Sequence, residues 1–234
     1  MERLGVVDLG HYNDILLLRR SLIGKKMKQP LIRRHVDMDI INEKMELLAD
    51  KGIFILGGEV GMESFYQLLV GILPKLYFQR DKRIWVILNS PGGDIFQGFA
   101  IYDFLKAIAN QGVEVNIVGT GMVASMAVCI MQAGTKRYAF PNTQFTVHQA
   151  SLSSSGDQHQ EVNEMIETAK EVKRINEIVL GIIAERSGME MEELMKISKK
   201  TDYSVDAKNA IADKFGPRGL IDEVVVTFPF DING

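Results

Sequence analysis

Short apolar runs alternate with longer segments of helical periodicity from residue 52 to the carboxyl end. The runs expected to form strands are residues 52–56, 83–88, 113–118, 145–147 and 224–228. The segments with helical spacing of apolar residues are 62–76, 95–109 and 124–132. Because strands joined by crossover helices form right-handed βαβ units, the pattern predicts an α/β fold with a largely parallel sheet.

Charge divides the chain into two unequal parts. Residues 1–36 hold eight Lys and Arg against three acidic residues, a charge of +5, and the remainder carries −8. We predict a basic N-terminal arm over residues 1–36 and a single domain over residues 37–234, since no strong linker follows residue 40. The arm is either solvated or a docking segment for a partner. The overall net charge of −3 gives no case for nucleic acid binding.

The cysteine count and the N-terminal hydropathy indicate the compartment. Cys129 is the single cysteine, which excludes an intramolecular disulfide and a cysteine-rich metal site. The apolar cluster at residues 15–18 is too short for a signal sequence or a membrane span. No two histidines have metal-ligand spacing, and no phosphate-binding loop of the GxxxxGK[ST] type occurs. We therefore expect a soluble cytoplasmic protein that holds no metal and hydrolyses no ATP through such a loop.

Residues 161–185 carry an apolar stripe at helical spacing that is longer than most globular helices. Gly188 supplies a stop signal after it. Such a helix either covers the sheet or projects and pairs with the same helix of another subunit. The pattern alone does not choose between these two arrangements.

Ser125 lies where the strand at 113–118 and an expected turn at 119–121 give way to an apolar helix. Free N–H groups and the helix dipole at such a point can stabilise an oxyanion beside a serine hydroxyl, although Ser125 could equally only cap the helix. The stretch 119–124 also matches the GxGxxA fingerprint of dinucleotide-binding proteins. No acidic residue follows before Asp157 to hold a ribose, so the residues favour a nucleophilic serine over a nucleotide site.

His148 ends a predicted strand and precedes a loop rich in Ser and Gly, so its imidazole can face a cleft and act as a general base. An acid has to orient that imidazole. Asp202, Asp206 and Asp157 are all candidates on chemical grounds. The glycines of the turn at residues 91–93 have two interpretations. They either only allow the positive φ of a tight turn, or they let a backbone donor lie close to a reacting carbonyl.

Six short segments, taken together, resemble the signature segments of the Clp protease proteolytic subunit family. They are ILNSPGG (87–93), IYD (101–103), GMVASM (121–126), FPN (140–142), VHQ (147–149) and GLID (219–222). The resemblance runs from residue 38 to 226, with the segments in the family's order. The order Ser, His, Asp also differs from that of the chymotrypsin, subtilisin and α/β-hydrolase triads.

The resemblance implies a serine endopeptidase with Ser125 as nucleophile, His148 as base and Asp202 as orienting acid. It further implies that the backbone N–H groups of Gly93 and Met126 form the oxyanion hole. The residues it implies for substrate binding are Gly92, Gly93, Asp94, Gln149, Ala150 and Ser151.

Architecture and partners follow from the same resemblance. Family members have a crotonase-like fold, a βαβ spiral, and stack two heptameric rings into a tetradecameric chamber. The helix at 161–185 then looks like the projecting handle that interleaves between rings. An AAA+ Clp unfoldase would deliver unfolded polypeptides and use ATP in trans, so this chain itself would need no cofactor.

Departures from the family pattern predict a divergent member. Ala150 stands where the family usually has proline, residues 151–155 are rich in serine, and the segment at 212–218 is longer than usual. Two other hypotheses remain open at this point. One is a non-catalytic or accessory ring subunit of a mixed Clp assembly, and the other is a crotonase-like acyl-CoA enzyme, which would need no nucleophilic serine.

Overall fold

A seven-stranded sheet forms the centre of the fold in the computed structural model, which describes residues 38–79, 82–149, 162–199 and 202–231. Five parallel strands lie in the order β1 (Ile53–Gly57), β2 (Arg83–Ser90), β3 (Glu114–Ala124), β4 (Lys136–Ala139) and β7 (Glu223–Val224). β5 (Gln144–Val147) pairs in parallel with the end of β3, and β6 (Tyr203–Asp206) pairs antiparallel with β5. The α/β fold with a largely parallel sheet is confirmed. The predicted basic arm at residues 1–36 lies outside the described residues.

Six helices lie within the described ranges and connect these strands. They are α1 (Met38–Asp50), α2 (Met62–Pro74), α3 (Ile95–Asn110), α4 (Met126–Met131), α5 (Val162–Ser187) and α6 (Met191–Ser198). A π-helical turn, Lys75–Gln79, follows α2, and a 3₁₀ turn, Ala207–Asn209, follows β6.

The turn expected at residues 119–121 is wrong, because β3 continues through it to Ala124. β3 pairs with β2 on both sides of a bulge, where the register passes from Leu88↔Gly119 to Ser90↔Val123. Gly121 has a φ of 61°, a backbone conformation that glycine adopts without steric strain, and it lies among the extra residues of the bulge. The strand therefore extends directly to Ser125.

Side chains on the two faces of the sheet enter two separate cores, because successive residues of a strand point to opposite faces. On one face, Val86 and Ile117 join a large cluster with residues of α2 to α6. On the other face, Trp85 and Val118 join a smaller cluster. All six residues of α4 are buried in this fold, as the wholly apolar sequence predicts.

The C-terminal tail, residues 225–231, covers the smaller cluster. The predicted strand at 224–228 is wrong beyond Val224, because β4 is too short to pair with a longer partner. Two phenylalanine rings of the tail pack on the sheet instead, and the ring of Phe230 lies 5.2 Å from that of Trp85. The tail thus completes the second core.

α5 is the long helix that the apolar stripe predicts. None of the residues from 162 to 174 is buried, whereas Leu180 and Ile183 near its other end enter the large core. Three large apolar side chains on the first half are exposed, Val162, Met165 and Ile166. The first half of α5 therefore projects from the body of the domain.

Candidate active site

Ser125 lies at the junction of β3 and α4 in an unusual backbone conformation. Its φ of 56° and ψ of −126° place a non-glycine residue in the left-handed half of φ space. The Ser125 N–H donates to the Thr146 carbonyl oxygen of β5 at 2.8 Å. The hydroxyl makes no capping hydrogen bond to α4, so the helix-cap interpretation of Ser125 does not account for it. The sharp strand-to-helix turn resembles the geometry that exposes a nucleophile in other hydrolases.

The turn at residues 91–93 runs directly beside Ser125. A Cβ atom on Gly92, whose φ is 94°, would lie 2.6 Å from the Ser125 Cβ, so only glycine fits there. Val60 donates its N–H to the Gly92 carbonyl at 2.7 Å and accepts from the Asp94 N–H at 2.8 Å. This short parallel bridge holds the backbone against the serine.

Two backbone donors near Ser125 have no acceptor among the hydrogen bonds of the described residues. The N–H of Gly93 lies between the two bonded groups of the Val60 bridge and takes no part in it. The N–H of Met126, the first residue of α4, has no acceptor within its helix. Both groups can therefore donate to an oxygen atom that arrives beside Ser125.

His148 and Asp202 lie opposite each other just beyond the ladder between β5 and β6. The ladder pairs Thr146 with Ser204 and Val147 with Tyr203. One more step in that antiparallel register brings His148 to Asp202, and their Nδ1 and Oδ1 atoms are 3.2 Å apart. Because Nδ1 contacts the carboxylate, the other ring nitrogen, Nε2, remains for a second partner.

The rival carboxylates have other positions. Asp206 lies at the far end of β6 opposite Gln144, and its Oδ1 accepts from the Asn209 N–H at 3.0 Å, which caps the following 3₁₀ turn. Asp157 lies outside the described residues. Among the described candidates, only Asp202 contacts His148.

The structure joins two of the three predicted catalytic residues directly and brings the third beside them. Ser125 follows Ala124, which pairs with Thr146, two residues before His148. Within the described part of the chain, no hydrogen bond joins the Ser125 hydroxyl to the His148 ring. The shared element is β5, whose end lies between the serine and the carboxylate.

The residues predicted to bind substrate have mixed positions. Gln149 is half-buried next to His148, whereas Ala150 and Ser151 lie outside the described residues. The Asp94 side chain is engaged in the fold, because its Oδ1 accepts from the Gln97 N–H at 2.8 Å and caps α3.

A hydroxyl pair next to this site was not singled out from the sequence. The Oγ1 atom of Thr146 and the Oγ atom of Ser204 are 2.9 Å apart across the β5–β6 ladder. Polar residues at alternate positions of β5, ending at His148, are the signal that could have identified Thr146, because period-2 alternation places them on one face.

Three further features of the described ranges concern metal binding, membrane crossing and the cysteine thiol. No group of three His, Cys, Asp or Glu residues there could hold a metal ion. No helix in those ranges has the length and apolarity needed to cross a membrane. Cys129 is fully buried in α4, and burial raises the pKa of its thiol, so it is a core residue rather than a second nucleophile.

Comparisons with known proteins identify the family that this chain resembles. A family model described as Clp protease matches residues 37–228. A similar protein from Porphyromonas gingivalis, named ATP-dependent Clp protease proteolytic subunit, is 34% identical over 215 residues, which cover 91% of this chain and 89% of the relative. A protein of the same name from Dehalococcoides mccartyi is 32% identical over 184 residues, which cover 76% of this chain and 84% of the relative.

Proposed function

The chain belongs to the Clp protease family, whose members are serine peptidases, and from this premise we propose that it is an endopeptidase using Ser125, His148 and Asp202. The observation that carries the proposal is the contact between His148 and Asp202 at the end of the strand that also binds the Ser125 backbone. Its substrates would be unfolded polypeptides.

Each of the three side chains has a distinct role in the proposed reaction. The Ser125 Oγ attacks the carbonyl carbon of a peptide bond while His148 Nε2 takes its proton. Asp202 holds the Nδ1–H tautomer of the imidazole and stabilises the imidazolium. His148 then returns the proton to the leaving amine, and water hydrolyses the acyl-enzyme by the same route. No cofactor is required in this chain.

The oxyanion of the tetrahedral intermediate would be bound by two main-chain donors. The N–H groups of Gly93 and Met126 flank Ser125 and have no acceptor among the described residues. A preorganised donor of this kind contributes about 10²–10³-fold to kcat. The close approach of Gly92 to Ser125 supports this role, because it holds the loop against the nucleophile.

We also propose that the chain assembles into stacked heptameric rings and works with an AAA+ Clp unfoldase that uses ATP. The exposed apolar side chains on the first half of α5 support self-association through this helix. A second exposed apolar surface lies on α2 itself, where Tyr66 and Val70 are more than half exposed. The proposed working location is the cytoplasm.

The proposal predicts covalent labelling at a single serine. A fluorophosphonate probe should modify Ser125, and peptide mapping by mass spectrometry should locate the adduct there. Ser125→Ala should remove both the label and hydrolysis of an unfolded protein substrate, because the nucleophile is lost. Asp202→Asn should lower kcat by about 10⁴-fold, because the imidazole is then held in the wrong tautomer.

Asp206→Asn is the matched control, since this carboxylate lies at the other end of β6 and contacts the 3₁₀ turn. It should retain activity and lose only capping stability. If the assembled protein resists the probe and cleaves no unfolded substrate, with or without a Clp unfoldase, the chain is a non-catalytic ring subunit and the proposal is wrong.

A further inference from the structure

We propose that the hydroxyl pair Thr146–Ser204 positions the His148–Asp202 pair for proton transfer. This inference rests on the proposed function. It concerns positioning residues, since neither hydroxyl contacts the imidazole or the carboxylate in the hydrogen bonds of the described residues.

The two pairs share one face of the β5–β6 ladder. Thr146 and His148 are two residues apart on β5 and its extension, and Ser204 and Asp202 are two residues apart on the antiparallel partner. The residues between them point the other way, because Val147 is buried and Tyr203 packs against the large core. The hydroxyl pair is therefore the side-chain contact that immediately precedes the imidazole–carboxylate pair on this face.

The imidazole–carboxylate pair needs such support because water reaches both partners. The side chain of His148 is 36% exposed and that of Asp202 is 69% exposed. An exposed polar contact contributes little on its own, so other interactions must hold the two side chains in one geometry. β6 has four residues and pairs only with β5 among the described strands. Few contacts therefore fix the register of β6 on β5.

Thr146 contacts Ser125 through its backbone and Ser204 through its side chain. Its carbonyl oxygen accepts from the Ser125 N–H at 2.8 Å, and its hydroxyl contacts Ser204 at 2.9 Å. A slip of one residue between β5 and β6 would move Asp202 to the opposite face. The hydroxyl contact opposes that slip and the smaller displacements that lengthen the imidazole–carboxylate distance.

The test replaces each hydroxyl in the full-length protein and follows the rate of fluorophosphonate labelling of Ser125 together with kcat and KM for a fluorogenic peptide. Thr146→Val keeps the shape of the side chain, and Ser204→Ala removes the exposed partner. Each should lower kcat and the labelling rate by about 5- to 20-fold with KM changed less than about twofold, because orientation and not substrate binding is lost. Thr146→Ser should restore the rates to within about twofold of the original.

Coupling between the two positions provides the decisive comparison. The double variant should lose no more activity than either single variant, since one hydrogen bond is removed in all three. Gln144→Ala lies on the same face at the far end of the ladder and should leave kcat unchanged. Thermal unfolding of each variant checks that the fold is intact, and Ser204→Ala, at an exposed position, serves if Thr146→Val does not fold.

Three results would overturn the inference. These are single variants with unchanged kcat, losses that multiply in the double variant, or a rise in KM at constant kcat, which would make the hydroxyls substrate contacts. An original protein whose Ser125 takes no label overturns the proposed function itself, and with it this inference. Labelling of the original protein at a rate that the hydroxyl variants do not alter overturns the inference alone.

Discussion

Ser125 combines a backbone conformation that few residues adopt with a hydroxyl that no capping contact uses. A positive φ at a residue with a Cβ atom costs of the order of 1–3 kcal/mol and persists only where surrounding contacts impose it. The imposing contacts are the hydrogen bond to the Thr146 carbonyl and the close approach of Gly92. Strain of this kind at a strand-to-helix turn projects the side chain away from both elements.

This conformation predicts an unusual stability order among inactive variants. Ser125→Gly should be more stable than Ser125→Ala by about 1 kcal/mol. Glycine removes the strain of the positive φ in the folded state, and this gain exceeds the cost of its larger conformational entropy in the unfolded state. Urea unfolding of both variants measures the difference. The control is Ala127→Gly at the second residue of α4, which should lose stability because its backbone is helical. A less stable glycine variant at 125 would show that the positive φ is absent in solution.

At the scale of elements, a buried arginine joins β4 to the segment before β7. Arg137 donates to the Gln132 side chain at 2.7 Å and to the Gly219 carbonyl at 2.9 Å, and it forms a bidentate ion pair with Asp222. The side chain of Arg137 is 1% exposed, whereas that of Asp222 is 39% exposed. Loss of Asp222 would therefore leave a buried charge without its partner, whereas loss of Arg137 would leave a carboxylate that water can reach.

Breaking the pair from either end should reveal this asymmetry. Asp222→Ala leaves a buried guanidinium without its carboxylate and should cost about 3–5 kcal/mol. Arg137→Met should cost less, since the remaining carboxylate can be hydrated. The free energies of unfolding in urea give the order, and Glu223→Ala, the adjacent exposed acid, should change stability by less than about 0.5 kcal/mol. Equal losses from both ends would refute the assignment of burial to Arg137.

The segment at 212–218 packs into the fold at the same scale. Phe215 is fully buried, and its ring lies 5.9 Å from that of Tyr203 in β6. Arg218 donates its N–H to the Ser187 carbonyl at the end of α5 at 2.7 Å. The segment thus packs beneath the strand that precedes the 3₁₀ turn and contacts the end of the long helix.

At the scale of the whole described molecule, helices cover one face of the sheet, while the C-terminal tail and Leu48 of α1 pack on the other. Trp85, the single tryptophan of the chain, is 8% exposed in the smaller core. Its ring contacts Tyr138 at 5.8 Å and Phe230 at 5.2 Å. The tail therefore shields the single tryptophan, whose emission reports on this face.

Removing that cover should be visible in fluorescence. Phe230→Ala should shift the Trp85 emission to longer wavelength and increase its quenching by acrylamide, because water then reaches the indole ring. The loss of stability should be about 1–2 kcal/mol, since the Phe230 side chain is only half-buried. Val226→Ala, at an 82% exposed position, should change neither quantity. An unchanged spectrum for Phe230→Ala would mean that the tail does not lie on Trp85.

The amino-acid sequence alone determined the element types and the small set of residues worth examining. Periodicity and turn composition act over five to fifteen neighbouring residues, so they predict the buried strands, the long helix α5 and the apolar helix α4. They miss β4 and β6, because the sequences KRYA and YSVD contain no run of β-branched or aromatic residues, and they interrupt β3 at Gly121, because a bulge has the composition of a turn.

Only the tertiary structure decided which of these residues meet. Chemistry alone left Asp202 and Asp206 equivalent as partners of His148, and the antiparallel register of β6 on β5 separates them by the length of a strand. Strand pairing joins positions more than fifty residues apart, and its free energy comes from contacts that no local window contains. Sequence patterns therefore predict the parts of the site, while the pairing of β3, β5 and β6 determines its geometry.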